Sequence, residues 1–326
     1  MNFIITPKCN KNCSFCFARK WRESCKQDMS WDTFKTLVEK TEIVKLLGGE
    51  PTLHPNFIDF VQYAIKKKKI ITIVTNLLIN NDKIIDFLVR TVQKYPIGFL
   101  LNGSELYGKR LELFSKNYNA IYKTAYRVDN EMNMRLGVTI PKGAENDIPK
   151  YIDYLKSLTD KLINIDTLRL SLTFPGEDKL KGDYYFLNNK KLGNLFLAVT
   201  QFAVQNGIKP TIDCIIFPCM FSNKEEFKYM IKFNTKVLTM CGNSSMPLDV
   251  FPNGKAVYGF PLRKVAEIDT SEYDNVKQMI KALVSKYQIV NSIAETPEAC
   301  KKCNFYHKIC EGPCLGFKPR PLEFKI

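Results

Sequence analysis

Histidine is scarce in this sequence: His54 and His307 are the only two among 326 residues. That scarcity excludes a metal centre built from several histidines. No apolar run approaches the about 20 residues that a membrane helix needs. The first residues also lack the basic region and apolar core of a secretory signal peptide. We therefore expect a cytoplasmic protein that has no membrane span.

The overall composition is that of a globular protein, with 45% hydrophobic and 25% charged residues. It excludes a disordered or fibrous chain. The length suits one large domain or two ordinary ones. Lys and Arg number 48 against 33 for Asp and Glu, a formal net charge of +15. Such a surface suits binding to an acidic peptide or a nucleic acid. The alternative is a soluble, lysine-rich surface without a charged partner. Nucleic acid is the less favoured partner, because no RNA-binding motif accompanies the lysines.

Cysteine, by contrast, is abundant, with 11 residues. A disulfide framework is not expected in a reducing cytoplasm, so ligation of a metal or cluster is the better interpretation. Cys25 and Cys241 stand apart from the rest. The others form three groups: Cys9, Cys13 and Cys16; Cys214 and Cys219; and Cys300, Cys303, Cys310 and Cys314.

Short apolar runs alternate with amphipathic segments over the first two hundred residues. Ser30 and Asp147 are suitable N-caps for two of the helices. Strands alternating with helices predict an α/β fold with a parallel sheet, whose functional loops lie at the carboxyl ends of the strands. The predicted strands are Phe3–Thr6, Ile43–Leu47, Ile70–Thr75, Ile97–Leu101, Met134–Ile140 and Leu168–Phe174. The predicted helices include Ser30–Lys40, Asn56–Ile65, Lys83–Gln93 and Asp147–Leu158.

The last hundred residues have a different pattern. One more strand is predicted at Lys209–Phe217, a hairpin at Pro252–Lys255 and a helix at Ser271–Lys286, before a tail dense in cysteine. This change predicts two domains: a larger α/β unit over 1–217, and a small α+β unit over 218–326.

The strongest chemical signal is the spacing CxxxCxxC at Cys9, Cys13 and Cys16, directly after the first predicted strand. A loop of this length can place three thiolates on three irons of a cubane cluster. Iron–sulfur clusters usually have four protein ligands, so the fourth iron would be open to an exogenous ligand. The alternatives are a loose zinc knuckle or chance spacing.

This stretch resembles the CxxxCxφC signature of the radical S-adenosylmethionine (SAM) superfamily, with Phe15 at the aromatic position φ. The resemblance implies a partial (β/α)6 barrel and a [4Fe-4S] cluster whose open iron binds the amino and carboxylate groups of SAM. It implies reductive cleavage of SAM to a 5′-deoxyadenosyl radical, which abstracts a substrate hydrogen. A flavodoxin-type or ferredoxin-type protein would donate the electron.

A second motif, Gly48-Gly49-Glu50-Pro51, follows the second predicted strand. Glycines permit close approach of the backbone to a ligand, and a glutamate can accept hydrogen bonds from an ammonium. The run resembles the SAM amino-group motif of the family. The alternative is an ordinary turn before a helix.

Weaker matches follow at three later strands. Asn76 follows Thr75 as in the family's Thr-Asn-Gly, although Leu77 replaces the glycine. By resemblance, Asn102 would bind the SAM ribose. Arg169 and Ser171 are possible contacts for the SAM carboxylate, and the alternative for them is an ordinary strand face.

The tail spacing Cys300-x2-Cys303-x6-Cys310-x3-Cys314 is typical of metal ligands. One interpretation is a four-cysteine zinc site. The other is resemblance to the SPASM or twitch extensions of radical SAM enzymes, which implies one or two auxiliary [4Fe-4S] clusters.

Several features of the tail depart from the usual extension. There is one extra residue before Cys310, and no cysteine follows Cys314. Cys241 resembles the first ligand of the upstream half, but Gly259 stands where its second belongs. Cys219 and Cys214 are candidates to replace missing ligands. A buried strand thiol is the alternative for Cys214.

The resemblance implies an enzyme that matures a ribosomally made peptide by crosslinking, thioether formation, epimerisation or oxidation. Because the first strand starts at residue 2, we expect a separate protein to recognise any leader peptide. The alternatives are a dehydrogenase or cyclase for a small molecule or nucleotide, an RNA-modifying enzyme, and a non-catalytic metal scaffold. The candidate acid, base or hydrogen-donor residues are Asp213, Asp249, Glu311 and Cys25.

Overall fold

The structure, a computed structural model, describes residues 1–125, 134–174, 184–212, 216–233, 248–263, 266–310 and 312–313. Its strands form one ten-stranded sheet. They are β1 (Asn2–Thr6), β2 (Ile43–Gly48), β3 (Ile70–Thr75), β4 (Gly98–Asn102), β5 (Met134–Ile140), β6 (Thr167–Leu172), β7 (Lys209–Ile212), β8 (Leu248–Val250), β9 (Lys255–Tyr258) and β10 (Ile268–Asp269). The predicted α/β class and the six alternating strands are confirmed.

Helices follow most of the parallel strands. They are α1 (Arg19–Ser24), α2 (Trp31–Glu39), α3 (Phe57–Lys66), α4 (Asp82–Val92), α5 (Lys109–Thr124), α6 (Ile148–Thr159), α7 (Lys190–Gln205), α8 (Lys224–Ile231), α9 (Val276–Ile293) and α10 (Glu298–Lys301). Both predicted N-caps are confirmed. The side chain of Ser30 accepts from the Thr33 N–H and that of Asp147 from the Lys150 N–H, each at 3.1 Å. In the described part of the chain, no helix is both long and apolar enough to cross a membrane.

The strand order in the sheet is β10-β9-β8-β1-β2-β3-β4-β5-β6-β7. Each neighbouring pair from β1 to β7 is parallel, so the carboxyl ends of these strands share one edge of the sheet. β8 runs parallel to β1, while β9 and β10 continue outward in antiparallel pairs. The predicted hairpin at 252–255 is the β8–β9 connection. The strands of the last third thus extend the sheet that begins with β1, and the division at residue 217 stays a prediction.

Side chains alternate strictly along β5 and β6, where every second residue is buried in the main hydrophobic core, against the helices. The residues between them lie on the opposite, half-exposed face. Near β1, that face carries a second, small apolar cluster. It consists of Ile4, Trp21, Phe251, Val257 and Phe260.

Helix α9 begins later than predicted, at Val276 rather than Ser271. The side chain of Asp269 accepts from the Ser271 N–H and closes a separate short turn over Thr270–Glu272. The side chain of Asn275 then caps α9 by accepting from the Gln278 N–H. Two caps in succession divide what the periodicity predicted as one helix.

Candidate functional site

The loop with the first three cysteines leaves the carboxyl end of β1, as predicted. Cys13 is buried, and Cys9 and Cys16 are partly buried. A turn closes the loop, with the Cys16 N–H donating to the Cys13 carbonyl at 3.2 Å. Burial raises the pKa of the Cys13 thiol to about 11 and also raises the pKa of Cys9. Cys13 therefore lies inside the fold, whereas Cys9 and Cys16 keep partial contact with solvent.

The sulfur atoms of this loop have hydrogen-bond donors around them. The backbone N–H of Lys11 donates to Cys9. Asn76 Nδ2 lies 3.9 Å from Cys9 Sγ, and Arg22 Nη1 lies 3.8 Å from Cys16 Sγ. N–H donors to the sulfurs stabilise ligating thiolates and help to set the potential of an iron–sulfur cluster. The residues present thus fit such a group.

The turn after β2 packs directly on the start of the cysteine loop. Gly49 N donates to the Thr6 carbonyl at 2.8 Å, and Glu50 N donates to the Lys8 carbonyl at 2.7 Å. A Cβ at Gly49 would lie 2.1 Å from Lys8 O, and one at Gly48, where φ is +152°, would lie 2.4 Å from Thr6 O. Both glycines are therefore required for backbone contact within the chain itself.

The Glu50 carboxylate is fully buried and joins the ends of β2 and β3. Its Oε1 accepts from Thr75 Oγ1 at 2.7 Å and from Thr52 Oγ1 at 2.8 Å, and its Oε2 accepts from the Asn76 N–H at 2.7 Å. Burial raises the pKa of this carboxyl. Pro51 starts the short turn Pro51–Leu53 beside it. The role of Glu50 as an acceptor for the SAM ammonium stays a prediction.

The end of β3 holds the cysteine loop from a second side. Asn76 Nδ2 donates to Asn10 Oδ1 at 2.9 Å, and Asn10 Nδ2 donates to the Leu78 carbonyl at 2.6 Å. Leu77, in the position of the family's glycine, is fully buried and has a φ of +53°. The left-handed backbone that favours glycine is thus kept, with a leucine in it.

The loop after β4 holds the cysteine loop from a third side. The Ser14 N–H donates to Glu105 Oε2 at 3.0 Å, and its hydroxyl donates to the other carboxylate oxygen. Lys11 is 3% exposed, and its Nζ donates to the Ser104 carbonyl. Sequence reasoning did not single out Lys11, Ser14 or Glu105. The one available signal was a lysine placed inside the cysteine signature.

Asn102, Arg169 and Ser171 lie on the half-exposed face of the sheet. Asn102 pairs in register with Gly137, which pairs with Arg169 on the next strand. Because the residue between them has no side chain, the space between Asn102 and Arg169 is not filled from β5. Ser171 Oγ lies 3.1 Å from Thr139 Oγ1. The structure brings these predicted contacts onto one face, at the edge where the cysteine loop lies.

Aromatic residues cluster where the cysteine loop returns to α1. Phe15 is partly buried. Phe17 makes edge contacts with Phe174, at a centroid distance of 6.5 Å, and with Phe260, at 5.2 Å. The ring of Phe17 therefore reaches both the end of β6 and the segment after β9.

Two candidate catalytic residues lie elsewhere. Asp249 is on β8, beside the amino end of β1, and accepts from Asn2 Nδ2 at 2.6 Å. Burial raises the pKa of its carboxyl to about 6. Cys25 follows α1, packs against the small apolar cluster and has its Sγ 3.6 Å from the Gln27 carbonyl. Neither residue is brought next to the three-cysteine loop by a described contact.

A second group of cysteines lines a pocket between the turn after β7 and the tail. Cys219 joins Cys300, Cys303 and Cys310 there, with Phe217 and Tyr306 among the apolar walls. The Asn188 N–H donates to Cys219, and the Gly312 N–H lies 3.4 Å from Cys310 Sγ. This repeats the N–H to sulfur pattern of the first loop, so the donor set fits a cluster.

Several predicted ligands and candidate acids lie outside the described residues: Asp213, Cys214, Cys241, Glu311 and Cys314. Among the described residues, no three His, Cys, Asp or Glu side chains converge closely enough to hold one metal ion. A cubane takes each cysteine at a different iron atom, and it does not need that convergence.

Residues 3–155 of the chain match the family model for the radical SAM superfamily. Solved structures of Streptococcus suis SuiB have a similar fold. The SAM-bound form has a TM-score of 0.62 at 18% identity, covering 97% of this chain and 73% of SuiB. The form bound to precursor peptide SuiA has a TM-score of 0.63 at 17% identity, covering 97% and 71%.

Two curated relatives match a short segment. The tungsten-containing aldehyde ferredoxin oxidoreductase cofactor-modifying protein of Pyrococcus furiosus is 35% identical over 79 residues, 22% of either chain. The S-adenosylmethionine-dependent nucleotide dehydratase of Selenomonas ruminantium is 31% identical over 82 residues, 23% of this chain and 29% of the relative. The matched segment thus spans under a third of either relative.

Proposed function

We propose that this protein is a radical SAM enzyme that modifies a ribosomally synthesised peptide, by crosslinking, thioether formation, epimerisation or oxidation. The observation that carries the proposal is the three-cysteine loop, held by the ends of β2, β3 and β4 in a radical SAM domain. Holding the reacting groups in a fixed geometry beside this loop would position a substrate C–H bond.

Cys9, Cys13 and Cys16 would hold the [4Fe-4S] cluster. When bound, cluster and SAM supply the electron transfer and radical chemistry of the reaction. The chain orients that centre: the Glu50 network fixes the strand ends, and Asn76 contacts both the loop and Cys9. Asn102, Arg169 and Ser171 would bind the polar groups of SAM on the half-exposed face.

Cys219, Cys300, Cys303 and Cys310 would hold one auxiliary [4Fe-4S] cluster. Their common pocket and the N–H donors to Cys219 and Cys310 support this ligand set. Cys241, Cys314 and Cys214 remain candidate ligands of the same or a second cluster. A four-cysteine zinc site is the competing assignment.

A peptide substrate is supported by the fold shared with SuiB, one of whose structures holds its precursor peptide SuiA. The net charge of +15 would favour an acidic segment of that peptide. A separate leader-recognition protein and a flavodoxin-type or ferredoxin-type electron donor complete the proposal, which places the reaction in the cytoplasm.

A nucleotide or other small-molecule substrate is the second candidate. The observation that favours it is the match to the nucleotide dehydratase, at 31% identity over 82 residues. That match covers 23% of this chain. The likeness over 97% of the chain therefore gives the peptide priority.

Anaerobic iron and sulfide analysis, with EPR before and after SAM addition, tests the cofactor assignment. About eight irons are expected for two [4Fe-4S] clusters. The Cys9/Cys13/Cys16→Ala triple variant should lose about four irons and the SAM-induced change. A Cys300/Cys303→Ala variant should lose about four irons and keep that change. Zinc in place of iron, with no response to SAM, would contradict the proposal.

The substrate is tested by release of 5′-deoxyadenosine. Peptides encoded by short reading frames beside the gene form one arm, and nucleoside triphosphates form the other. We expect a peptide to increase the rate and to change in mass after crosslinking, thioether formation or oxidation; epimerisation leaves the mass unchanged and is detected by deuterium uptake from heavy water. Stimulation by nucleotides alone would replace the peptide with the second candidate.

A further inference from the structure

Lys11 is buried inside the cysteine loop, where a charged side chain is costly. It is two residues from both Cys9 and Cys13 and is 3% exposed. Lysine is among the residues that are almost never fully buried unless paired. An ammonium in such a place requires negative charge or hydrogen-bond acceptors nearby.

The surroundings of Lys11 supply one acceptor and several negative groups. Its Nζ donates to the Ser104 carbonyl, which anchors the loop to the end of β4. Burial, and more weakly Arg110, lower the pKa of Lys11, while Cys13, Glu105 and Cys9, in descending order, act against that shift. The Glu105 carboxylate also accepts two hydrogen bonds from Ser14. Two of these three groups, Cys13 and Cys9, are proposed cluster ligands, and as ligating thiolates they would hold the ammonium in its charged form.

We propose that the Lys11 ammonium raises the reduction potential of the cluster held by Cys9, Cys13 and Cys16. This rests on the proposed function. Reduction adds a negative charge to a centre that already carries three thiolates, and a fixed positive charge in a buried site stabilises that state. Net charge and hydrogen bonding around a cluster are principal determinants of its potential. Lys11 thus makes the electron delivered by the donor protein easier to accept.

A purely mechanical role would give a different result. If Lys11 only tethered the loop to Ser104, its charge would be irrelevant once the cluster was in place. Lys11→Met removes the charge and the hydrogen bond at similar length, Lys11→Gln keeps a neutral donor, and Lys11→Arg keeps the charge. Lys116→Met, on the exposed side of α5, is the matched control.

The experiment is an EPR-monitored redox titration of the full-length, cluster-loaded protein. It follows the reduced signal that changes on addition of SAM, which separates this cluster from any auxiliary one. We expect Lys11→Met and Lys11→Gln to shift the midpoint to more negative potential by at least the 59 mV that equals a tenfold change for one electron. Lys11→Arg and Lys116→Met should stay close to wild type.

Other outcomes are equally decisive. Unchanged midpoints in both neutral variants, or loss of the cluster from all three Lys11 variants, would overturn the proposal, because Lys11 would then be an anchor alone. Loss from both neutral variants with retention in Lys11→Arg would also overturn it, because a long donor that reaches the Ser104 carbonyl then explains the result without any effect on potential. Wild type without a SAM-responsive signal would refute the proposed function first, before any variant is compared.

Discussion

The two cysteine regions of the molecule are held in different ways. The loop of Cys9, Cys13 and Cys16 is fixed by hydrogen bonds from three other strand ends, up to 93 residues away. In the tail, two backbone hydrogen bonds at the cysteines are local: Cys303 N donates to the Cys300 carbonyl at 3.0 Å, and His307 N donates to the Cys310 carbonyl at 2.9 Å. The first region is organised by the sheet itself. We expect the second to depend on the auxiliary cluster proposed for its cysteines.

The largest expected effect comes from Gly49→Ala, which would break the organised region. The added Cβ would lie 2.1 Å from the Lys8 carbonyl oxygen, and neither backbone can move without separating β1 from β2. We expect a loss of about 3 kcal/mol or more in the free energy of unfolding and loss of the SAM-responsive cluster. Urea denaturation and iron analysis measure both.

Gly207→Ala is the control for that variant. Its Cβ would meet nothing within 4 Å, so only its φ of +69° opposes the change. It should cost about 1 kcal/mol and leave the iron content intact. Equal effects at the two glycines would show that backbone conformation, rather than the close approach, governs the site.

The second prediction concerns the pairing of β8 with β1, where Asp249 accepts a hydrogen bond from Asn2. Burial raises the pKa of Asp249 to about 6 from 3.8, so the folded state binds this proton more tightly than the unfolded state. The protonated Asp249 carboxyl therefore contributes fully to the free energy of unfolding below about pH 4. That contribution is lost as pH rises to about 6, a change of about 3 kcal/mol. Asp249→Asn should remove this dependence.

Urea denaturation of wild type and Asp249→Asn across pH 4.5 to 7.5 tests this pH dependence. The stability of the variant relative to wild type should rise with pH and level off above about pH 7. Asp269→Asn, an exposed aspartate on β10, is the control. Parallel curves for wild type and Asp249→Asn would show that the carboxyl titrates normally.

The third prediction compares the three-cysteine loop with the cysteine tail after removal of the iron. Amide hydrogen exchange of residues 297–310 should become at least tenfold faster after chelation, equivalent to about 1.4 kcal/mol. Exchange at the ends of β2 and β3 should change little, because the Glu50 network needs no metal. Cys219→Ser should reproduce the tail effect without chelator, whereas Cys25→Ser should not. Uniform deprotection of both regions would remove the distinction.

The smallest effect concerns Leu77 at the end of β3. Glycine is normally less stable than alanine by about 0.5–1 kcal/mol in regular structure. At a φ of +53°, however, an alanine bears a cost of about 1 kcal/mol that glycine avoids. Leu77→Gly should therefore be as stable as Leu77→Ala or slightly more stable. At Leu88, buried in α4, the usual order should hold, with glycine lower by about 1 kcal/mol. The usual order at both positions would contradict the prediction.

Local patterns were sufficient to predict much of this molecule. Alternating apolar runs indicated the parallel strands, and side-chain caps such as Ser30 marked helix starts. The three-cysteine spacing and the glycine pair fall directly after strands, so their place at one sheet edge followed from parallel topology. The reason why glycine is needed at 48 and 49 could not be predicted from the sequence. Both residues lie against the backbone carbonyls of Thr6 and Lys8.

Contacts between segments that are distant along the chain could not be predicted from the sequence. Nothing near Ser14 indicates that Glu105 accepts its hydrogen bonds, because that pairing depends on which strand ends are neighbours. The convergence of Cys219 with Cys300 depends likewise on the path of the chain after β7. The junction of β8 with β1 was missed for the same reason, since strand pairing of this range leaves no local pattern.

The position of β1 between β2 and β8 has a consequence for how the protein is made. Asn2 donates a hydrogen bond to Asp249, 247 residues later in the chain. The second edge of β1 therefore stays unpaired until β8 has been synthesised. At about 5–20 residues per second, translation alone imposes a delay of roughly 12–50 seconds. During that interval an open strand edge, prone to pair with other chains, adjoins three unligated thiols. Closure of this strand is thus a late event of biosynthesis, and a chain that ends before β8 would expose an unpaired strand edge beside Cys9, Cys13 and Cys16.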